Sequence, residues 1–179
     1  MSHQEPPLFS FANQVLDRLY IGSIEASQTF SFIEQKQISI IVNCSKDLEN
    51  KYQLNLLKPI EEAPQHIQDW LYENSFNIKY YRIPVDDNGK ISEIDVFYNY
   101  LLTEVDKIIN EYEKGKTILV HCLAGNQRSA AFVTAFLMKY KKIKLQEAIE
   151  FLLEKKPNVF LFGRRANFMD ALVRFEQTL

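Results

Sequence analysis

A chain of 179 residues, 46% of them hydrophobic and 13% aromatic, is long enough to bury one good core and near the usual size of a single domain. Its net charge of -2, from 21 basic and 23 acidic residues, gives no global footprint for nucleic acid or an anionic membrane, so any attraction to phosphate must be local. Two cysteines, Cys44 and Cys122, are too few for a disulfide framework, and the amino terminus lacks the charged and apolar pattern of a leader. A reducing, intracellular and most simply cytoplasmic setting is expected. The longest apolar stretch, near Ala130 to Met138, falls short of the roughly 20 residues a membrane span needs, so no membrane insertion is expected.

In chain order, residues 1–13 carry Pro6 and Pro7 without a clear period and read as a flexible arm before a single domain over 14–179. Val15 to Gly22 alternates well enough for a strand. Glu25 to Lys36 reads as helix, and Ile38 to Val42 is a β-branched run suited to a buried parallel strand. Residues 46–76 read as an insertion in which Ala63 to Leu71 adds a helix, with Trp70 read as core more readily than as a partner contact. Further strands are expected at Ile78 to Val85 and Thr117 to Cys122, separated by an amphipathic helix over Glu93 to Glu113. Helical patterns follow near 127–140, 144–155 and 164–177. Strands alternating with helices predict an α/β fold with a mostly parallel central sheet flanked by helices.

The chemistry concentrates where the strand ending at Val120 meets a helix, in His121-Cys122-Leu123-Ala124-Gly125-Asn126-Gln127-Arg128-Ser129. Strand, short loop and helix make an anion site. Backbone N–H groups of the loop converge on a phosphate, the helix terminus adds partial positive charge, and Gly125 permits a positive φ. The same field lowers the pKa of Cys122 and so favours its nucleophilic thiolate. Arg128 holds two phosphoryl oxygens at once with its planar fork, which a lysine does not do. Ser129 donates a hydrogen bond to the sulfur, and His121 organises the loop through its ring. A cysteine at a strand end is usually a small core residue. This spacing, however, arises by shuffling on the order of 10⁻⁶ per chain and lies in the required strand-to-helix context.

These residues resemble the signature of the cysteine-based protein tyrosine phosphatases, and the chain over about 14–177 is similar to their small dual-specificity branch. Leu19-Tyr20-Ile21-Gly22-Ser23, Ile41-Val42-Asn43-Cys44-Ser45 and Tyr81-Arg82-Ile83-Pro84-Val85-Asp86-Asp87 support the likeness. The resemblance implies hydrolysis of phosphotyrosine and phosphoserine or phosphothreonine in phosphorylated proteins through a phosphocysteine intermediate. It also implies that the aspartate two residues after Ile-Pro-x, Asp87, is the general acid, with Asp86 the competing assignment. Leu123 to Gln127 carry no charge, which favours phosphoproteins over phosphoinositides, and Arg128-Ser129-Ala130 departs from the Arg-Thr-Gly of RNA 5'-phosphatases of this fold. A phosphate-reading module without turnover is the alternative from another class. Arg164-Arg165 stand where relatives often carry Ser-Pro; they are candidates for the substrate rim or simply a solvated helix start. In a parallel sheet Cys44 ends on the same edge as Cys122, which leaves open a protective disulfide or, preferred, a buried thiol. His3, His66 and His121 with two scattered cysteines have no metal-ligand spacing, and no metal or organic cofactor is expected.

Overall fold

The computed structural model describes residues 10–52, 65–66, 68–69 and 78–179. Its elements in chain order are β1 (Ala12–Leu16), β2 (Leu19–Gly22), α1 (Ile24–Gln28), α2 (Phe30–Gln35), β3 (Ile40–Asn43), β4 (Lys79–Arg82), α3 (Ile91–Glu113), β5 (Ile118–His121), α4 (Arg128–Lys141), α5 (Leu145–Lys155) and α6 (Met169–Glu176). The five strands form one sheet in the order β1-β2-β5-β3-β4. Only β1 runs antiparallel to its neighbour, as the expected mostly parallel sheet requires. β5 lies at the centre, paired on one side with β2 and on the other with β3.

Alternation along the strands divides the core between the two faces of the sheet. Leu19, Ile21, Ile40, Val42, Ile118 and Val120 point into the larger cluster, against Phe97, Leu101, Val105, Phe132, Phe136, Leu172 and Phe175 of the helices. Tyr20, Ile41 and Leu119 point the other way, against Ala26, Phe32 and Ile33 of α1 and α2. On α3 the buried positions Ile94, Phe97, Leu101, Val105, Ile108 and Tyr112 recur every three or four residues, one stripe of a helix half in water. α4 differs: every residue from Arg128 to Met138 is buried, so it is the central helix and its first turn lies deep in the molecule. It stops at Lys142, which takes a left-handed conformation (φ 54°) and returns its N–H to the Met138 carbonyl.

Three sequence expectations need correction. Val15 to Gly22 is not one strand but a hairpin that turns at Asp17-Arg18, with Leu16 paired to Leu19; each half alternates, so the reversal is invisible to periodicity. The first strand starts at Ala12, two residues before the expected start of the domain, because Ala12 pairs with Gly22. The helix over 25–36 breaks at Thr29, whose backbone is extended (φ -92°, ψ 104°) while its hydroxyl donates back to the Glu25 carbonyl at 2.8 Å. Within the 46–76 insertion, residues 65–66 and 68–69 are helical, whereas Trp70 lies outside the described residues.

Candidate active site

β5 ends at His121, held by β2 and β3 on either side, so Cys122 leaves the sheet centre in a fixed direction. The loop that follows is tied down on several sides. Ile24 N–H donates to the Leu123 carbonyl at 3.0 Å, and Phe160 N–H donates to the Asn126 carbonyl at 3.1 Å. Gly125 has φ +77°, as its place in the loop predicts, and a Cβ there would sit 2.7 Å from the backbone of Gly22. A side chain at 125 therefore both strains the backbone and drives the loop off β2. Leu123 and Ala124 are exposed, while Gly125, Gln127, Arg128 and Ser129 are buried.

Cys122 is 2% exposed. Its sulfur lies 3.3 Å from the Ser129 hydroxyl oxygen. Burial by itself raises the thiol's pKa, but the Ser129 hydroxyl and N–H, the charge of Arg128 and the Gly125 N–H together outweigh it, and the net direction is down. Arg128, 7% exposed, donates from Nη1 to the Val85 carbonyl at 3.3 Å. Its Nε is 3.3 Å from Asp87 Oδ2. That second contact is a charge pair out of line for a hydrogen bond, since Nε has no aligned acceptor among the described residues.

The two adjacent aspartates therefore point to different places. Asp87 reaches the signature arginine, whereas Asp86 turns toward Lys46 at 3.8 Å and gives its N–H to Glu93 Oε2 at 2.9 Å. The segment after β3, which carries Lys46, is anchored to the sheet. Arg82 donates to the carbonyls of Ser45, Lys46 and Leu48, and Asn43 bonds Leu48 and Asn50. His121 is fully buried and its pKa is pushed down to about 4, first by burial and then by the charges of Arg82 and Arg128, partly opposed by its bond to the Cys122 carbonyl. The ring is thus neutral, and because a carbonyl only accepts, Nδ1 carries the hydrogen in the 3.4 Å contact.

The remaining expected residues divide. Arg164 and Arg165 lie not at a helix start but in the turn before α6, which begins only at Met169 because Phe168 is left-handed (φ 57°). Both line a groove of about 450 Å³ shared with Asp87, Asn88 and Gly89. Arg164 is engaged by Asp170 at 2.5 Å, and Arg165 has no ion pair among the described residues. A larger cavity of about 730 Å³, lined by Met138, Lys142, Ile143 and Leu179, lies at the far end of α4 and holds none of these groups. Cys44 is completely buried, its thiol pushed well up by burial first and by the charge of Cys122 second, features of a core thiol. Lys156, which sequence reading passed over, is also buried and within electrostatic reach of Cys122. As the second of a Lys155-Lys156 pair at a helix end it carries no signal to separate it from a solvated residue.

The arrangement joins a lowered thiol, a hydroxyl on its sulfur, a guanidinium and a carboxylate on a loop whose backbone turns about a glycine. The family model for the dual specificity phosphatase catalytic domain matches residues 19–178. The chain belongs to the dual specificity phosphatase family. Human dual specificity protein phosphatase 6 is 28% identical over 181 residues, covering 100% of this chain and 39% of that protein. Human dual specificity protein phosphatase 1 is 28% identical over 163 residues, 91% of this chain and 36% of that protein. The chain thus spans about two fifths of the length of these curated relatives. Human DUSP28 has the same fold, with a TM-score of 0.71 and 20% identity over 97% of this chain and 98% of that one. A mouse putative dual specificity phosphatase complexed with zinc tungstate gives a TM-score of 0.71 and 22% identity over 98% and 92%. Among the described residues no helix of this dual specificity phosphatase domain is long and apolar enough to cross a membrane.

Proposed function

We propose that this domain hydrolyses phosphotyrosine and phosphoserine or phosphothreonine in phosphoproteins through a phosphocysteine on Cys122. The observation that carries the reading is the Cys122 sulfur 3.3 Å from the Ser129 hydroxyl, with its pKa lowered despite burial. The thiolate attacks phosphorus as the ester P–O bond breaks, and Asp87 gives its proton to the departing oxygen. Arg128 and the loop N–H groups hold the three equatorial oxygens through the transition state. A water then attacks phosphorus, passes its proton to Asp87, and the P–S bond breaks with the Ser129 hydroxyl stabilising the restored thiolate. Asp87 is preferred to Asp86 because only its carboxylate is paired with Arg128. His121 organises the loop through the Cys122 carbonyl, and Arg165 offers the rim a cation that has no ion pair among the described residues. An intracellular, reducing compartment belongs to this proposal, since such a thiolate is readily oxidised.

The test is hydrolysis of p-nitrophenyl phosphate by the wild type and by Cys122→Ser, with phosphopeptide binding measured on both. Turnover in the wild type alone, with binding kept in the variant, is the expected result. Binding in both proteins with turnover in neither would make the domain a phosphate-reading module instead.

A further inference from the structure

Lysine is rarely buried without a partner, because taking an ammonium out of water costs far more than its methylene stem returns. Lys156 is only 6% exposed, yet no carboxylate lies within ion-pair distance of it among the described residues. Its place in the fold is fixed at the end of α5, where its N–H bonds the Leu152 carbonyl at 2.8 Å and its carbonyl accepts from Val159 at 3.4 Å. The turn continues to Phe160, whose N–H is given to Asn126 of the phosphate loop. Lys156 thus stands on a segment fastened directly to that loop. Its ordinary pKa is lowered by burial, and the opposing influence is the charge of Cys122.

The charges of the site are unbalanced without it. A thiolate at Cys122 carries one negative charge and a phosphomonoester dianion brings two more. Arg128 supplies one positive charge, and Leu123 to Gln127 supply none. We propose that Lys156 is a second cation of the phosphate site, entering from the end of α5 instead of from the signature loop, and that it offsets the repulsion between the thiolate and the incoming phosphoryl dianion. The proposal rests on the phosphomonoesterase reading above. Around the Cys122 charge stand Arg128, the hydrogen bonds of Ser129 and Gly125, the raised thiol of Cys44 and a neutral His121, and Lys156 feels that charge from the end of α5.

The experiment compares Lys156→Met and Lys156→Arg with the wild type, using p-nitrophenyl phosphate as substrate and inorganic phosphate as competitive inhibitor across pH. In Lys156→Met the inhibition constant for phosphate should rise about tenfold, and the acid limb of kcat/KM, set by Cys122, should move to higher pH. Lys156→Arg should restore both. Thermal stability of the Met variant should stay close to that of the wild type, so that both shifts are read on a folded protein. A Met variant that melts earlier while its phosphate inhibition and acid limb stay at wild-type values would overturn the proposal, leaving Lys156 a packing residue. If the Met variant does not fold, Lys156→Gln is read by the same two criteria. Hydrolysis that persists in Cys122→Ser would instead sink the phosphatase reading, so the two failures are separable.

Discussion

Residues 121–129 and residues 160–166 touch through the bond from Phe160 N–H to the Asn126 carbonyl, yet they are built differently. In the phosphate loop His121, Cys122, Gln127, Arg128 and Ser129 are buried, and the backbone is pinned against β2 through Gly22 and Gly125. Across from it Leu161 and Phe162 are 67% and 68% exposed, and Gly163, Arg164 and Arg165 are exposed as well. That rim hangs on the Asn167 side chain, which donates to the carbonyls of Phe160 and Phe162. The contrast separates two tasks. Phosphoryl transfer needs atoms held to fractions of an ångström, which burial supplies. Choosing a protein substrate needs only a surface of suitable charge and shape, which tolerates change.

The largest effect should fall in the buried region. Arg128→Lys keeps the charge but loses the planar fork, and kcat/KM on p-nitrophenyl phosphate should drop by about 10³-fold with the fold intact by circular dichroism. A drop of only a few-fold would mean that charge alone, wherever it comes from, suffices.

The buried imidazole sharpens the same contrast through stability. The unfolded chain protonates His121 near pH 6.5, while the folded protein refuses the proton until about pH 4. Stability is therefore full above pH 6.5 and falls as pH is lowered through that window, by about 3 kcal/mol. Urea midpoints at pH 7 and about pH 4.5 measure it, and His121→Gln should flatten the difference.

Between the two regions stands the acid loop. Asp87→Asn should slow a phosphoserine peptide by about 10²-fold and p-nitrophenyl phosphate less, because a poor leaving group needs the proton. Asp86→Asn should leave both nearly unchanged. The reverse pattern would transfer the acid role to Asp86.

The rim should give the smallest effects. Arg165→Ala should raise KM for a doubly phosphorylated peptide a few-fold and leave p-nitrophenyl phosphate alone. Arg164→Ala should do less, since that guanidinium is already held by Asp170. Equal effects on peptide and aryl phosphate would remove the rim from substrate recognition.

Legibility followed the same division. The phosphate loop is nine contiguous residues, so its spacing carries the chemistry on the surface of the sequence, and even the positive φ of Gly125 follows from its position. The central sheet was readable because β3 and β5 are continuous apolar runs buried on both faces. Choices made by tertiary contacts were not. Asp86 and Asp87 differ only in which cation each meets, Lys46 or Arg128. Lys156 looks like any lysine at a helix end until the turn to Phe160 brings its segment onto the loop. Local breaks were also hidden: the Asp17-Arg18 reversal, the extended backbone at Thr29, and the left-handed Phe168 that delays α6 to Met169.

The central claim is that Cys122 takes the phosphoryl group. Rapid acid quenching of the wild type during turnover of a phosphopeptide, followed by mass spectrometry of its fragments, tests it most directly. The peptide containing Cys122 should carry one added phosphoryl group, in smaller amount in Asp87→Asn because a poor leaving group departs slowly without the proton. Continued turnover with Cys122 unmodified at every quench time, or a phosphoryl group on another side chain, would contradict the account.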